Sequence, residues 1–207
     1  MRKIIEEMYL RFAGSDVVIL GGGNSLRNFN FALLKSKNVI AINSAFKYVG
    51  EDAVLYWGDA SFGSHNVDLL SQHPSKFKFT SRTHIDLDKA KVGMSGENYL
   101  KKTGDFGYDP NIDHVRGNNS GAQAINFAVN LNARRVLLLG FDMGYTFGRS
   151  HFHSDHPSAT ASSVYTEMFI PSIESMNKDI AGRSEVINCS RESNLKCFKF
   201  GDYKDYI

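Results

Sequence analysis

Four consecutive apolar residues, Val17-Val-Ile-Leu20, run straight into Gly21-Gly-Gly23, and Asn24-Ser25-Leu26 follow. A short apolar run rich in β-branched residues reads as a strand buried on both faces, the kind found inside a parallel sheet. Three glycines let the backbone turn sharply and approach a ligand with no Cβ in the way. A polar cap and a helical segment after them aim free N–H groups at the strand's end, where an anion is favoured. The plainer reading is a tight strand-to-helix turn with no ligand. Two standard phosphate sites are excluded: no Gly-Lys-Ser/Thr follows, and Leu26 stands where a Gly-x-Gly-x-x-Gly motif needs its third glycine.

The rest of the chain repeats the pattern. An amphipathic helix over residues 2–13 (Ile4, Ile5, Met8, Tyr9, Phe12) leads into that strand. Val39–Ile42 and Ala53–Trp57 are the next strands, and they end on Asn43-Ser44 and Gly58-Asp59-Ala60-Ser61. A short helix is expected over Leu26–Leu34 and a longer one over 62–73, followed by a more exposed strand at Lys76–Thr80. Residues 81–117 are polar, glycine-rich and poor in periodic apolar positions, so they are expected to form a lid or insertion. Asn119-Ser120-Gly121 then carries a helix-start signal. Val136–Leu139 is the most apolar run and the expected central strand; it ends on Gly140-Phe-Asp142. A helix from about Ala159 to Ile180, interrupted near Pro171, precedes a last strand at Val186-Ile187 ending at Ser190-Arg191. Strands alternating with helical segments predict an α/β, Rossmann-like three-layer α/β/α domain over 1–207, with a mostly parallel sheet and a polar lid-like insertion at 81–117. Ligands of such sheets bind beyond the carboxyl ends of the strands, so the residues after each apolar run become the candidate site.

Composition narrows the partners. A net charge of +2 over 207 residues gives no electrostatic footprint for a nucleic acid. No apolar run approaches the ~20 residues that span a bilayer. Arg2, Lys3, Glu6 and Glu7 leave no apolar core for a signal peptide, and Cys189 and Cys197 read as free thiols, so a cytosolic protein is expected.

The chemically richest stretch is Arg149-Ser-His151-Phe-His153-Ser-Asp155-His156. His-x-His-x-Asp-His also spells the first metal motif of metallo-β-lactamase-like hydrolases, and imidazoles with a carboxylate suit zinc. Those hydrolases need further histidine ligands downstream, and no histidine follows His156. Acid–base chemistry is the other use: a loop histidine titrating near neutrality can take the proton of an attacking hydroxyl. A polar loop capping the next helix is the structural alternative.

In order, Val-Ile-Leu-Gly-Gly-Gly-Asn-Ser-Leu, Ala-Ile-Asn43-Ser, Asn119-Ser-Gly-Ala opening a helix, and Arg-Arg-Val-Leu-Leu-Leu-Gly-Phe-Asp142-Met resemble the small bacterial CMP-sialic-acid sialyltransferases. The order is also similar to the family named for 6-hydroxymethyl-dihydropterin pyrophosphokinase and to phage-encoded relatives of both. The first resemblance implies a glycosyltransferase with a nucleotide-sugar donor and a hydroxyl acceptor. It implies that Gly21, Gly22, Gly23, Asn24, Ser25, Asn43, Ser120 and Gly121 hold the nucleotide, with Asp59, Asn119, Asp142 and Ser190 at neighbouring strand and helix ends. The family's base is a loop histidine before the late helix; His151, His153 and His156 all match that region, and spacing favours His156, then His153. Tyr145, or Tyr165, would assist the leaving phosphate. The resemblance implies no metal or other cofactor, and the sialyltransferases form homo-oligomers. The pyrophosphokinase alternative would need Mg²⁺ on Asp59 and Asp142. A non-catalytic nucleotide-binding accessory protein, working in a host cytoplasm if phage-encoded, is the third reading. The family's Gly-Asn-Gly-Pro-Ser loop puts its nucleotide-contacting asparagine where Gly22 stands here, with Asn24 two residues later.

Overall fold

The structure is a computed structural model that describes residues 2–81, 98–155 and 160–207. Its centre is an eight-stranded sheet in the order β10-β9-β8-β1-β2-β3-β4-β5. The strands are β1 (Asp16–Leu20), β2 (Asn38–Ile42), β3 (Val54–Trp57), β4 (Lys78–Thr80), β5 (Asn98–Tyr99), β8 (Arg135–Leu139), β9 (Glu185–Asn188) and β10 (Lys199–Phe200). Every pairing in this sheet is parallel. β6 (Lys101–Gly104) and β7 (His114–Arg116) form a small parallel sheet of their own. β1 lies between β2 and β8, with Val17 beside both Asn38 and Val136. The apolar run therefore has strands on both flanks and layers on both faces, as its composition predicts.

Alternation along the strands builds two cores. Val17, Ile19, Ile40, Tyr56, Phe79 and Leu138 face one side. There they meet Ile5, Met8 and Phe12 of α1 (Arg2–Phe12), Ile125, Phe127 and Ala128 of α4 (Ser120–Asn130), and Ile173 and Met176 of α6 (Ile170–Ile180). Val18, Leu20, Val39, Leu55, Trp57 and Leu137 face the other side. That side is covered by Leu26, Leu34 and Phe46 on 3₁₀ turns, and by Leu70 of α3 (Val67–Gln72). The three layers are thus unequal: longer helices on one face, tight turns and the short α3 on the other.

The expected helix at Leu26–Leu34 is two 3₁₀ turns, Asn24–Leu26 and Phe31–Leu34. Asn30 restarts the chain between them by accepting the Ala32 N–H, the side-chain-to-backbone competition that makes Asn a poor interior helix residue. The helix expected at 62–73 is split into α2 (Ala60–His65) and α3 at Asn66, whose carboxamide donates to the Phe62 carbonyl. The more exposed strand expected at Lys76–Thr80 is β4, whose three residues Lys78–Thr80 are buried, with β5 paired along the outer edge, while Lys76 is exposed. The strand expected to be last, β9, is followed by β10. Of the lid expected at 81–117, residues 82–97 lie outside the described residues. The remainder is built into the body: Leu100 and Val115 are fully buried, and the Asn126 side chain of α4 bonds the Asp109 and Arg116 backbone.

The late helix begins, among the described residues, at α5 (Ser162–Val164) and runs through a π turn (Tyr165–Phe169) into α6. Pro171 sits in the first turn of α6. A proline there lacks the N–H that would close the preceding α-helical ring, and the widened turn accommodates the loss. Among the described residues no helix is long and apolar enough to cross a membrane.

Candidate functional site

The chain crosses from β1 to β2 on one side and from β8 to β9 on the other, so a cleft opens at the carboxyl ends of β1 and β8. The glycine loop forms its floor. Gly21 donates to the Leu139 carbonyl at 2.8 Å and Gly23 to the Gly140 carbonyl at 2.9 Å. A Cβ on Gly21 would stand 2.7 Å from the Gly140 oxygen, and one on Gly23 would run into the Asp142 carboxylate. Those two glycines exist for packing against the end of β8. A Cβ on Gly22 would instead meet the His151 ring at 3.1 Å and His153 Nε2 at 3.2 Å.

The polar residues after the glycines bond inward. The buried Asn24 carboxamide donates to the Thr146 carbonyl at 2.7 Å. Asp142, 2% exposed, accepts the backbone N–H of Ser25 at 2.8 Å and also the Ser25 hydroxyl. Ser190, equally buried, accepts the Phe141 N–H at 2.9 Å and lies 3.4 Å from the Ser25 hydroxyl. Asn24, Ser25, Asp142 and Ser190 therefore act first as the lattice that fixes the loop. Ser25 and Asp142 close it.

The opposite wall is built on β2 and α4. Asn43, the first residue after β2, holds φ at 49°, a left-handed conformation that asparagine tolerates better than most side chains. Its Oδ1 accepts from the Ser120 hydroxyl at 3.4 Å, and Ser120 in turn accepts the Gly58 N–H at 3.0 Å. Asn119 caps α4 by accepting the Ala122 N–H at 2.9 Å, leaving the Ser120 and Gly121 amides at the helix start beside the cleft. Gly121 is forced by Phe141, whose ring would stand 2.9 Å from a Cβ there. Asp59 caps α2, accepting the Ser61 and Phe62 N–H groups. The open cleft has a volume of about 960 Å³, and Lys102, Asn118 and Tyr165 also line it.

The histidine loop closes the third side. Phe152 donates its N–H to the Gly22 carbonyl at 3.1 Å, and its ring packs on Phe31 and Tyr48. His151 lines the cleft with Nδ1 2.9 Å from the Ser150 hydroxyl. The His153 side chain is 4% exposed, its Nδ1 accepting the Asp155 N–H at 3.3 Å and lying 3.6 Å from the Asp155 carboxylate. Asp155 is paired with Lys47 at 2.9 Å. Tyr145 is exposed and donates to the Thr160 carbonyl, whereas Tyr165 is buried in the wall; burial raises its phenol, and hydrogen bonding to Thr160 and Ser150 opposes the rise. His156 lies outside the described residues. No three His, Cys, Asp or Glu side chains gather into a metal-binding group among the described residues.

The glycine loop, Asn43, Asp59, Asn119, Ser120, Gly121 and Asp142 thus surround one cleft, and His153 and Tyr145 border the neighbouring pocket. Sequence reasoning ranked His151 last, yet it lines both cavities. Lys47, on the same 3₁₀ segment as Asn43 (Asn43–Tyr48), was not singled out from the sequence; it reaches the histidine loop through Asp155.

The sequence matches no protein-family model and no curated protein. One solved structure is similar in outline: a crystal structure assigned as a fructose-1,6-biphosphate aldolase from Coccidioides immitis, at 8% identity and TM-score 0.30, covering 90% of this chain and 71% of that one. A likeness at that TM-score carries no argument about this chain.

Proposed function

We propose that the protein is a transferase that holds a nucleotide-activated, CMP-sugar-like donor in the cleft and passes the sugar to a hydroxyl acceptor. The observation that carries the reading is the pairing of Asn43, left-handed and turned to the cleft, with Ser120 at the start of α4, which also accepts the Gly58 N–H. A carboxamide at a strand end suits the edge of a base or ribose, and the free amides of an eleven-residue helix favour a phosphate. Strain of this kind persists where the surroundings enforce it, commonly at ligand sites.

In this reading the acceptor hydroxyl attacks the anomeric carbon as the bond to the nucleotide phosphate breaks. The hydroxyl's proton passes to a histidine of the 149–156 loop, with His151 at the cleft the foremost candidate in place of His153 or His156. The departing phosphate keeps its electron pair and is stabilised by the α4 amides.

The Mg²⁺-dependent pyrophosphokinase alternative fits these residues poorly. Its two carboxylates would be Asp59 and Asp142, and both already accept backbone N–H groups, Asp142 from within the core. The test is donor turnover by wild type and by His151→Ala and His153→Ala. Loss of turnover in His151→Ala, with nucleotide affinity retained, is the expected result. Nucleotide binding with no turnover of any CMP-sugar by wild type would favour the accessory-protein reading instead.

A further inference from the structure

Beside the cleft lies a second pocket of about 590 Å³, within the ~300–1,000 Å³ range of small-molecule sites. It is lined by Tyr48, Tyr145 and residues 148–155, and it shares Ser150, His151 and Asp155 with the cleft. His151 therefore borders both cavities.

The charges in this pocket do not cancel. Asp155 is neutralised by Lys47 at 2.9 Å. Arg149 has no carboxylate partner among the described residues. Its side chain is exposed, and its backbone is held in place. Thr146 and Arg149 exchange backbone hydrogen bonds at 2.9 and 3.2 Å across a tight turn, with Phe147 and Gly148 both left-handed at φ 52° and 76°. Phe147 is an unusual residue for that conformation, and the Arg27 guanidinium, 3.9 Å from its ring centre, braces it. The buried Asn24 side chain pins Thr146 from below. The glycine loop and the turn that carries the arginine are thereby fixed to one another.

Two tyrosine rings, several hydroxyls and imidazoles, and one unbalanced guanidinium match a polyhydroxylated ligand that carries a negative group. We infer that this second pocket is the acceptor subsite and that it takes a small saccharide bearing an anionic group, carboxylate or phosphate, with Arg149 as the residue that selects the charge. The assignment as acceptor rests on the transferase reading above; the preference for an acidic saccharide does not.

Ligand-observed NMR titrations of the full chain with methyl β-D-glucoside, methyl β-D-glucuronide and glucose 6-phosphate test it, with CDP titrated separately. Wild type should bind at least one acidic sugar about tenfold more tightly than the neutral one. Arg149→Gln should abolish that preference and Arg149→Lys retain part of it, with thermal unfolding confirming that both variants fold. The relative responses to the glucuronide and the phosphate say which anion is read. Equal binding of all three sugars, no binding of any, or a preference that survives Arg149→Gln overturns the inference. CDP binding alone would leave the transferase reading standing without this pocket; sugar binding without any nucleotide would leave the pocket and remove its role as acceptor site.

Discussion

The carboxylate of Asp142 accepts both the backbone N–H and the hydroxyl of Ser25, tying the end of β8 to the turn after β1 from inside the core. The two strands on either side of the switch in chain direction are thereby locked at their carboxyl ends, and the cleft has a rigid floor. Asp142→Ala leaves the Ser25 amide without its partner and should cost about 2 kcal/mol of stability. Urea unfolding measures it; a loss below about 0.5 kcal/mol would show that the loop does not depend on this bond.

The three glycines should separate by role. Gly23→Ala drives a methyl into the Asp142 carboxylate and to 2.7 Å from the Gly140 oxygen, backbone and buried carboxylate that cannot give way. It should destabilise by roughly 1–3 kcal/mol or more. Gly22→Ala meets only the His151 and His153 side chains, so it should cost less stability and chiefly disturb turnover. Equal unfolding midpoints for the two variants would contradict this division.

Asn43 offers a cleaner separation of strain from binding. Asn43→Gly relieves the left-handed backbone, and Asn43→Ala worsens it by about 1 kcal/mol. Thermal unfolding should rank glycine at or above wild type and alanine below it. Nucleotide affinity should fall about tenfold in both, since each loses the carboxamide. Affinity that tracked stability instead would assign Asn43 a structural role.

Asp109 is an acid-sensitive point of the fold. Burial alone would raise its carboxyl, but hydrogen bonds from Thr103, from the backbone and side chain of Asn111, and from His114 outweigh it and bring the pKa to about 2. A depressed carboxyl contributes stability that is fully present above the unfolded value near 4 and is lost as pH falls toward 2. Asp109→Asn should therefore be less stable than wild type at pH 7, by on the order of 2 kcal/mol, with the gap closing between about pH 4 and 2. A gap independent of pH would assign the loss to packing.

The sheet was legible because its signal is local: Val17–Leu20, Val39–Ile42 and Val136–Leu139 are apolar runs cut off by glycine or asparagine. The edges were not. β5 and β10 are two residues each, too short to carry periodicity, and they become strands only by pairing with β4 and β9. Leu100 and Val115 are single apolar residues among polar neighbours, so their burial beside α4 is a tertiary fact that no window shows. Within the cleft, residue types at strand ends mark residues that gather in space, and their hydrogen bonds are set by long-range pairing. Ser25, Asp142 and Ser190 read as ligand contacts; long-range pairing also ties them into a lattice, and Asp142 lines the cleft as well. Likewise, which histidine faces the cleft depends on how the 149–155 loop lies over Gly22, and spacing along the chain does not encode that.

The central claim, a nucleotide in the cleft with no metal needed to hold it, is most directly tested by calorimetric titration of CMP and CDP into the protein in EDTA. The account predicts saturable one-site binding by wild type, about tenfold weaker in Asn43→Ala. Absence of binding to either nucleotide, or affinity that appears only with Mg²⁺ and ignores Asn43, would contradict it.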